Sequence, residues 1–247
     1  MKLQTRGFRM LLIALLTVVL IGALVAAART QDSIATVDHS QDEAVAPPTI
    51  VVIDVPSHEV QLYENGQPTL RFPIATGTRQ TPSPLGEFKI IEKARWGDGF
   101  GTRWMRLSVP WGQYGIHGTN KPWSIGSSAS HGCFRMRNAQ VEALFEHIPM
   151  GTRVYVVGPT PYTEIRRTLR LHAFGQDVVE AQRLLRTVHA YPGFLDGSYG
   201  EQMAAAVARF QRWNDLPVTG ELDQQTLQQL EQQATTIATF SPSDRKV

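Results

Sequence analysis

The chain has 247 residues, 42% of them hydrophobic, with 24 Lys and Arg against 22 Asp and Glu and a formal net charge of +2. So even a balance gives no bulk electrostatic case for a nucleic-acid partner. Cys133 is the single cysteine, which excludes an internal disulfide and the Cys-rich clusters of structural zinc sites.

In chain order, Lys2, Arg6 and Arg9 precede an uncharged run from Met10 to Ala28, closed by Arg29. The pattern reads as an export signal. The run is long for a cleaved signal peptide and just sufficient for a spanning helix, which needs roughly 20 apolar residues. Its end, Ala26-Ala27-Ala28, permits cleavage, so residues 1–28 are expected to be a signal peptide or a signal anchor holding the chain to a membrane. The chain beyond this segment is expected outside the cytoplasm, in the periplasm or cell wall. Residues 29–48 are polar, lack aromatics and end in Ala46-Pro47-Pro48. They read as a flexible linker that cannot bury enough apolar surface to offset the entropy of ordering.

The remaining length suits two small domains, and the hydrophobic period changes near residue 170. Residues 49–159 read as strands. Thr49–Val55, Glu59–Tyr63, Arg71–Ala75, Gly86–Ile91 and Thr152–Val157 are β-branched or aromatic runs, with Ser57-His58 and Glu64-Asn65-Gly66 as turns. One helix, near Ala139 to His147, carries Val141, Leu144 and Phe145 at helical spacing. Trp96, Trp104, Trp111 and Trp123 cluster between these strands and Cys133, either as core or, with Tyr114, as a groove wall.

Residues 160–172 are expected to be a second linker, and Arg166-Arg167 with Arg170 a solvated basic face. Over 173–232 the period becomes 3.6, with apolar stripes at Val178, Ala181, Leu184 and Leu185, at Met203, Val207 and Phe210, and at Leu222, Leu227 and Leu230. The pattern predicts three short helices, joined by Asp196-Gly197-Ser198-Tyr199-Gly200 and Pro217-Val218-Thr219-Gly220. A unit of about 60 residues needs a dense core, for which Phe210, Trp213 and Phe194 are candidates. Residues 233–247 are expected to be a disordered tail.

The chemistry-bearing segment is Ser130-His131-Gly132-Cys133-Phe134-Arg135-Met136, placed sixteen positions after His117-Gly118. A lone cysteine is a buried apolar thiol, a chance surface thiol or a nucleophile. Polar and glycine neighbours in place of apolar ones favour the nucleophile, and a thiol that attacks carbonyls needs a base or positive charge close by. His58, His147, His172 and His189 lack ligand spacing, so no metal and no cofactor is expected.

His117-Gly118-Thr119-Asn120 with Ser130–Met136, and upstream Ala75-Thr76-Gly77 with Thr81-Pro82-Ser83-Pro84-Leu85-Gly86-Glu87-Phe88, closely resemble the signature of the L,D-transpeptidases, whose catalytic domain is called YkuD-like. The departures are Gln140, where the family often has an acid, and Phe134. Residues 173–231 resemble the peptidoglycan-binding domain that often accompanies such enzymes, with Met203 where threonine is common.

The resemblance implies a mainly β, sandwich-like catalytic domain followed by a small three-helix peptidoglycan-binding domain. It also implies a cysteine-dependent acyltransferase that cleaves D-alanine from a tetrapeptide stem through a thioester and passes the acyl group to a diamino-acid amine. Carbapenems are expected to acylate such a thiol. In that reading Cys133 is the nucleophile, His117 the general base, Gly118 the carbonyl that orients it and Gly132 part of a backbone oxyanion hole. Ser130, His131, Arg135, Tyr114 and Trp123 are expected substrate contacts, with an internal salt bridge as the other reading of Arg135. The partners are peptidoglycan donor and acceptor stems, or a wall-anchored protein as acceptor, and no nucleic acid. Hydrolysis to a carboxypeptidase outcome, and a non-catalytic wall-binding protein, are the alternatives.

Overall fold

Ile50-Val51-Val52-Ile53 is a β-branched run and Glu59-Val60-Gln61-Leu62 alternates polar and apolar residues, which commits both segments to strands. The computed structural model, which describes residues 49–160 and 162–240, buries Val51, Ile53, Val60 and Leu62 on one face. Strands β1 (Ile50–Asp54) and β2 (Glu59–Glu64) pair antiparallel. Asn65 and Gly66 both take positive φ, 54° and 75°, the two-residue turn that matches strand twist, and β3 (Gln67–Pro73) returns against β2. Six further strands precede the last: β4 (Thr76–Gly77), β5 (Gly86–Ala94), β6 (Trp104–Leu107), β7 (Gly115–His117), β8 (Ser128–Ser130) and β9 (Phe134–Arg135). Helix α1 (Asn138–His147) and strand β10 (Arg153–Val157) complete this part.

Eight strands form one sheet in the order β3-β2-β1-β10-β5-β6-β7-β9, and β4 pairs with β8 beside it. Val60 and Leu62, near one end of that order, share one core with Ile116 and Phe134 at the other. The sheet therefore curls on itself and closes over its core in a sandwich-like manner. Helix α1 adds Val141 and Leu144 to the same core. Strands β4, β7, β8 and β9 have only two or three residues each, too short for a readable alternation. They exist because neighbouring strands supply their hydrogen bonds.

Beyond β10 lie helices α2 (Gln176–Thr187), α3 (Glu201–Trp213) and α4 (Gln224–Phe240), whose apolar stripes meet in a second core around Leu185, Val207, Phe210 and Leu230. Two fully buried glutamines explain the glycine-containing loops. The Gln182 side chain donates to Asp196 and to the Ser198 carbonyl and accepts from the Gly197 N–H. Gln211 does the same for the next loop, accepting from the Thr219 and Gly220 amides and donating to the Glu221 carbonyl. Burying an amide is tolerated only when its donors and acceptors are used, and here they pin both turns.

Four expectations need correction. The 160–172 stretch is not a free linker, because Ile165 and Leu169 are buried in the helical core and Leu169 exchanges backbone hydrogen bonds with Leu222. Trp213 is 61% exposed and Phe194 41% exposed, so Phe210 serves the core without them. Phe194 instead lies under the Arg153 guanidinium, 4.1 Å from ring centre to Cζ. The tail does not begin at 233: α4 runs on to Phe240, since Ala234 continues the buried stripe and the Thr235, Thr236 and Thr239 hydroxyls each donate to the carbonyl one turn back. Residues 241–247, like the export segment and the first linker at 1–48, lie outside the described residues. Among the described residues no helix is long and apolar enough to cross a membrane.

The helical module packs on the sheet domain within one compact unit. Gln176 of α2 forms a reciprocal pair with the Leu85 backbone, accepting at 2.9 Å and donating at 3.0 Å. The Glu87 N–H donates to the Leu195 carbonyl at 2.8 Å, and Arg186 grips the Glu87 carboxylate with two bonds of 2.5 and 3.0 Å. These anchors fall on the end of the Thr81–Leu85 turn and on the first residues of β5.

Candidate active site

The parallel pair β7 and β9 brings the two halves of the signature together. His117 is aligned with Arg135, Ile116 with Phe134, and the Met136 N–H donates to the His117 carbonyl at 2.8 Å. Cys133 sits immediately before β9, so the parallel register sets it beside Gly115, two residues before His117 and on the same face of the sheet. Both line one pocket of about 700 Å3, with His131, Arg135, Lys121 and Thr119 and an aromatic wall of Trp96, Phe100 and Trp104.

His117 is buried. Phe100 packs edge-on at 5.1 Å and Trp104 lies tilted at 5.7 Å, while Trp96 stacks on Trp104 at 4.9 Å. Its Nδ1 lies 2.5 Å from the Gly118 carbonyl, which can only accept, so Nδ1 carries the proton and Nε2 keeps the lone pair. The Gly118 position is held in turn by the side chain of Asn138, the first residue of α1, whose Oδ1 accepts from the Thr119 N–H at 3.1 Å. Loss of water around the ring pulls His117 down to about 4, helped by the charge of Arg135 and opposed by the Gly118 carbonyl.

The same burial pushes the Cys133 thiol up, opposed by a Gly115 backbone contact and by Arg135. Its Sγ lies 3.8 Å from the Gln113 carbonyl. Burial thus favours the uncharged form of both the thiol and the imidazole.

The Cys133 loop is braced from inside. The Ser130 hydroxyl donates to the Cys133 carbonyl at 2.6 Å and accepts from the Gly132 N–H at 3.0 Å. Ser130 is thus a loop brace, fully buried, and its carbonyl takes bonds from the Thr78 N–H and the Thr81 hydroxyl. Gly132 has φ +111°, where a side chain is strained, and a Cβ there would stand 2.6 Å from the Tyr114 ring. The Gly132 amide, expected in an oxyanion hole, donates to the Ser130 hydroxyl here. Among the described residues no hydrogen bond is made by the Cys133 N–H.

Arg135 has no carboxylate partner among the described residues. It gives one bond to the Ala129 carbonyl at 3.0 Å and presents its charge to the pocket, so the internal salt bridge is not formed. His131 is exposed on the rim. Two expected contacts do not reach this pocket. Trp123, on a 3-10 turn at Pro122–Ser124, is 78% exposed, and Tyr114 lies behind Gly132 in a neighbouring cleft. Lys121 and Gln113 line the pocket without any motif having marked them, whereas Trp96 and Trp104 belong to the tryptophan cluster visible in the sequence. The Gln140 departure leaves Oε1 buried without a partner among the described residues, and Met203 is simply core. Among those residues no three His, Cys, Asp or Glu side chains group as a metal centre would need.

Fold and site thus define a protein that seats one thiol and one desolvated imidazole in a cationic, aromatic pocket of a curled sheet, with a three-helix module packed beside it. Residues 48–156 match the family model of the L,D-transpeptidase catalytic domain, YkuD, and residues 174–230 match that of the peptidoglycan binding domain. Protein YkuD of Bacillus licheniformis, named as an L,D-transpeptidase, is 40% identical over 110 residues, 44% of this chain and 66% of that protein. YqjB of Bacillus subtilis, named likewise, is 31% identical over 122 residues, 43% of this chain and 69% of that protein. A solved L,D-transpeptidase from Mycobacterium smegmatis aligns at 19% identity over 44% of this chain and 58% of that one, with a TM-score of 0.39. The chain belongs to the L,D-transpeptidase (YkuD) family. It spans about two thirds of the length of the Bacillus relatives it matches.

Proposed function

We propose that the protein is an L,D-transpeptidase acting on peptidoglycan tetrapeptide stems through a Cys133 thioester. The observation that carries this reading is the His117–Gly118 carbonyl pair at the strand end beside Cys133, in a chain of this family whose second module matches a peptidoglycan binding domain.

Because burial favours the uncharged form of both thiol and imidazole, the proton moves as the bond forms. Sγ adds to the carbonyl between the diamino acid and the terminal D-alanine while Nε2 of His117 takes the thiol proton. The Gly118 carbonyl, accepting from Nδ1–H, stabilises the imidazolium that results, the part an aspartate plays in other triads. The carbonyl oxygen turns toward the Cys133 amide, and one such donor is worth about 2.7–4 kcal/mol of barrier. His117 then returns its proton to the departing amine of D-alanine, leaving the thioester. A side-chain amine of a second stem gives up a proton to His117, attacks the thioester and restores the thiol, forming the cross-link. Arg135 and Lys121 supply the positive charge that stem carboxylates need. The site faces the periplasm or cell wall, reached through the basic and apolar N-terminal segment.

The test is incubation of residues 48–247, wild type and Cys133→Ala, with disaccharide-tetrapeptides. Dimers with loss of D-alanine, absent in the variant, are expected. Tripeptides alone would mean that water or a protein amine is the acceptor; binding without turnover would overturn the enzymatic reading. A carbapenem should add its mass to wild type and not to Cys133→Ala.

A further inference from the structure

A second cleft of about 380 Å3 lies between the modules. It is walled on one side by the Thr81–Leu85 turn, Trp111 and Tyr114, and on the other by Tyr162, Thr163 and Gln176. Two features tie it to the Cys133 pocket. His131 lines both, and Tyr114, which forms part of the cleft, is the ring against which Gly132 packs. The cleft is a built feature, because both walls are fixed: Gln176 is bonded to Leu85 in both directions and Tyr162 donates its N–H to buried Glu180. Its second wall is thus shared: Tyr162 and Thr163 come from the connecting segment, Tyr162 packing on the sheet core, and Gln176 comes from the helical module.

The chemistry of the two cavities differs. The Cys133 pocket carries Lys121, Arg135 and His131 and no acid, which suits the carboxylates of a stem peptide. The interdomain cleft holds no Asp, Glu, Lys or Arg; apart from His131 it offers three aromatic rings and uncharged hydroxyl and amide groups. A free carboxylate or ammonium would be desolvated there without a counter-charge. A saccharide fits, since its C–H faces lie on aromatic rings and its hydroxyls and N-acetyl groups exchange hydrogen bonds with neutral partners. Chain length agrees. Three extended residues separate the reacting carbonyl from the sugar and span on the order of 10 Å, so a sugar on a stem seated at Cys133 comes within reach of the adjoining cleft.

We propose that the interdomain cleft binds the uncharged N-acetylated amino sugar of the strand whose stem occupies the Cys133 pocket, which makes the helical module part of the substrate site. This inference rests on the reading of Cys133 as acting on peptidoglycan stems.

The experiment uses residues 48–247 with Thr163→Trp and, independently, Gln80→Trp, both filling the cleft from its rim. The ratio of kcat/KM for a disaccharide-tetrapeptide to that for the same tetrapeptide without sugar is expected to favour the sugar about tenfold in wild type and to fall toward one in both variants. A folding defect lowers both rates and leaves the ratio, and an unchanged ratio overturns the proposal. In parallel, saturation-transfer NMR reads binding of an N-acetylglucosamine tetramer. If neither substrate turns over, the enzymatic reading fails. A saccharide signal weakened by Thr163→Trp would still support the cleft, whereas identical signals in wild type and variants would sink it.

Discussion

At His117 a single buried ring decides the pH behaviour. An exposed histidine titrates near 6.5, but burial holds this one at about 4. The base must be neutral to take the thiol proton, so the acid limb of kcat/KM is expected near pH 4, and activity should persist at pH 5.5, where an exposed histidine is largely protonated. A pH–rate profile with a limb centred near 6.5 would show that the ring is hydrated. Linkage gives a matching signature in stability. Between pH 4 and 6.5 the unfolded chain binds a proton that the folded one does not, so His117 contributes stability above 6.5 that is lost as pH falls to 4, on the order of 3 kcal/mol. Denaturant melts of wild type and His117→Gln across that range should converge at low pH. Gly132→Ala is the second residue-scale test. The new methyl would meet Tyr114 at 2.6 Å on a backbone with φ +111°, so displacement of the Cys133 loop should cost about 100-fold in rate. Carbapenem acylation rates would read this directly.

Strands β7 and β9 are too short to persist alone, and their value lies in register. Parallel pairing sets His117 opposite Arg135, and a slip of one residue would turn His117 to the other face. Asn138 joins this arrangement to α1 by holding the Thr119 amide. In the helical module, the Thr219–Gly220 loop hangs on Gln211. Replacing Gln211 with Ala strands two backbone amides and the Glu221 carbonyl, and should cost about 1–3 kcal/mol. Urea unfolding would measure that loss, and acylation of Cys133 by a carbapenem in the folded variant should be unaffected.

For the whole molecule, the junction between modules is the decisive contact. Glu87 is the second residue of the strand that leads out of the Thr81–Leu85 turn, and that turn touches the Cys133 loop through Thr81 and Ser130. Wild type is therefore expected to melt in one transition. Arg186→Ala leaves a half-buried Glu87 carboxylate with fewer donors and should lower stability by about 1–2 kcal/mol, trimmed because Arg186 is 40% exposed. Calorimetry should show the transition broadening or splitting. An unchanged single transition would mean that Gln176 and the Leu195 carbonyl suffice to hold the modules together.

By itself the sequence determined the family, the division into a sheet part and a helical part, and the thiol and imidazole that matter. Each is written in local spacing, in residue chemistry or in motifs of contiguous residues. Strands such as β1 and β10 were legible because β-branched and aromatic residues dominate runs of five, and α1 because three apolar residues fall on one face. Tertiary structure alone decided the rest. The two-residue and three-residue strands exist only through partners distant in the chain. Trp213 and Phe194 are apolar enough for a core, yet packing left them at the surface, and Ala234 extended a helix beyond the point where its own pattern fades. The Gly132 amide donates to Ser130 through a bend that no spacing encodes, and Trp123 stands exposed to solvent rather than lining the pocket. The interdomain cleft is the furthest case, since Thr81 and Gln176 are 95 positions apart and meet only because two folded modules dock.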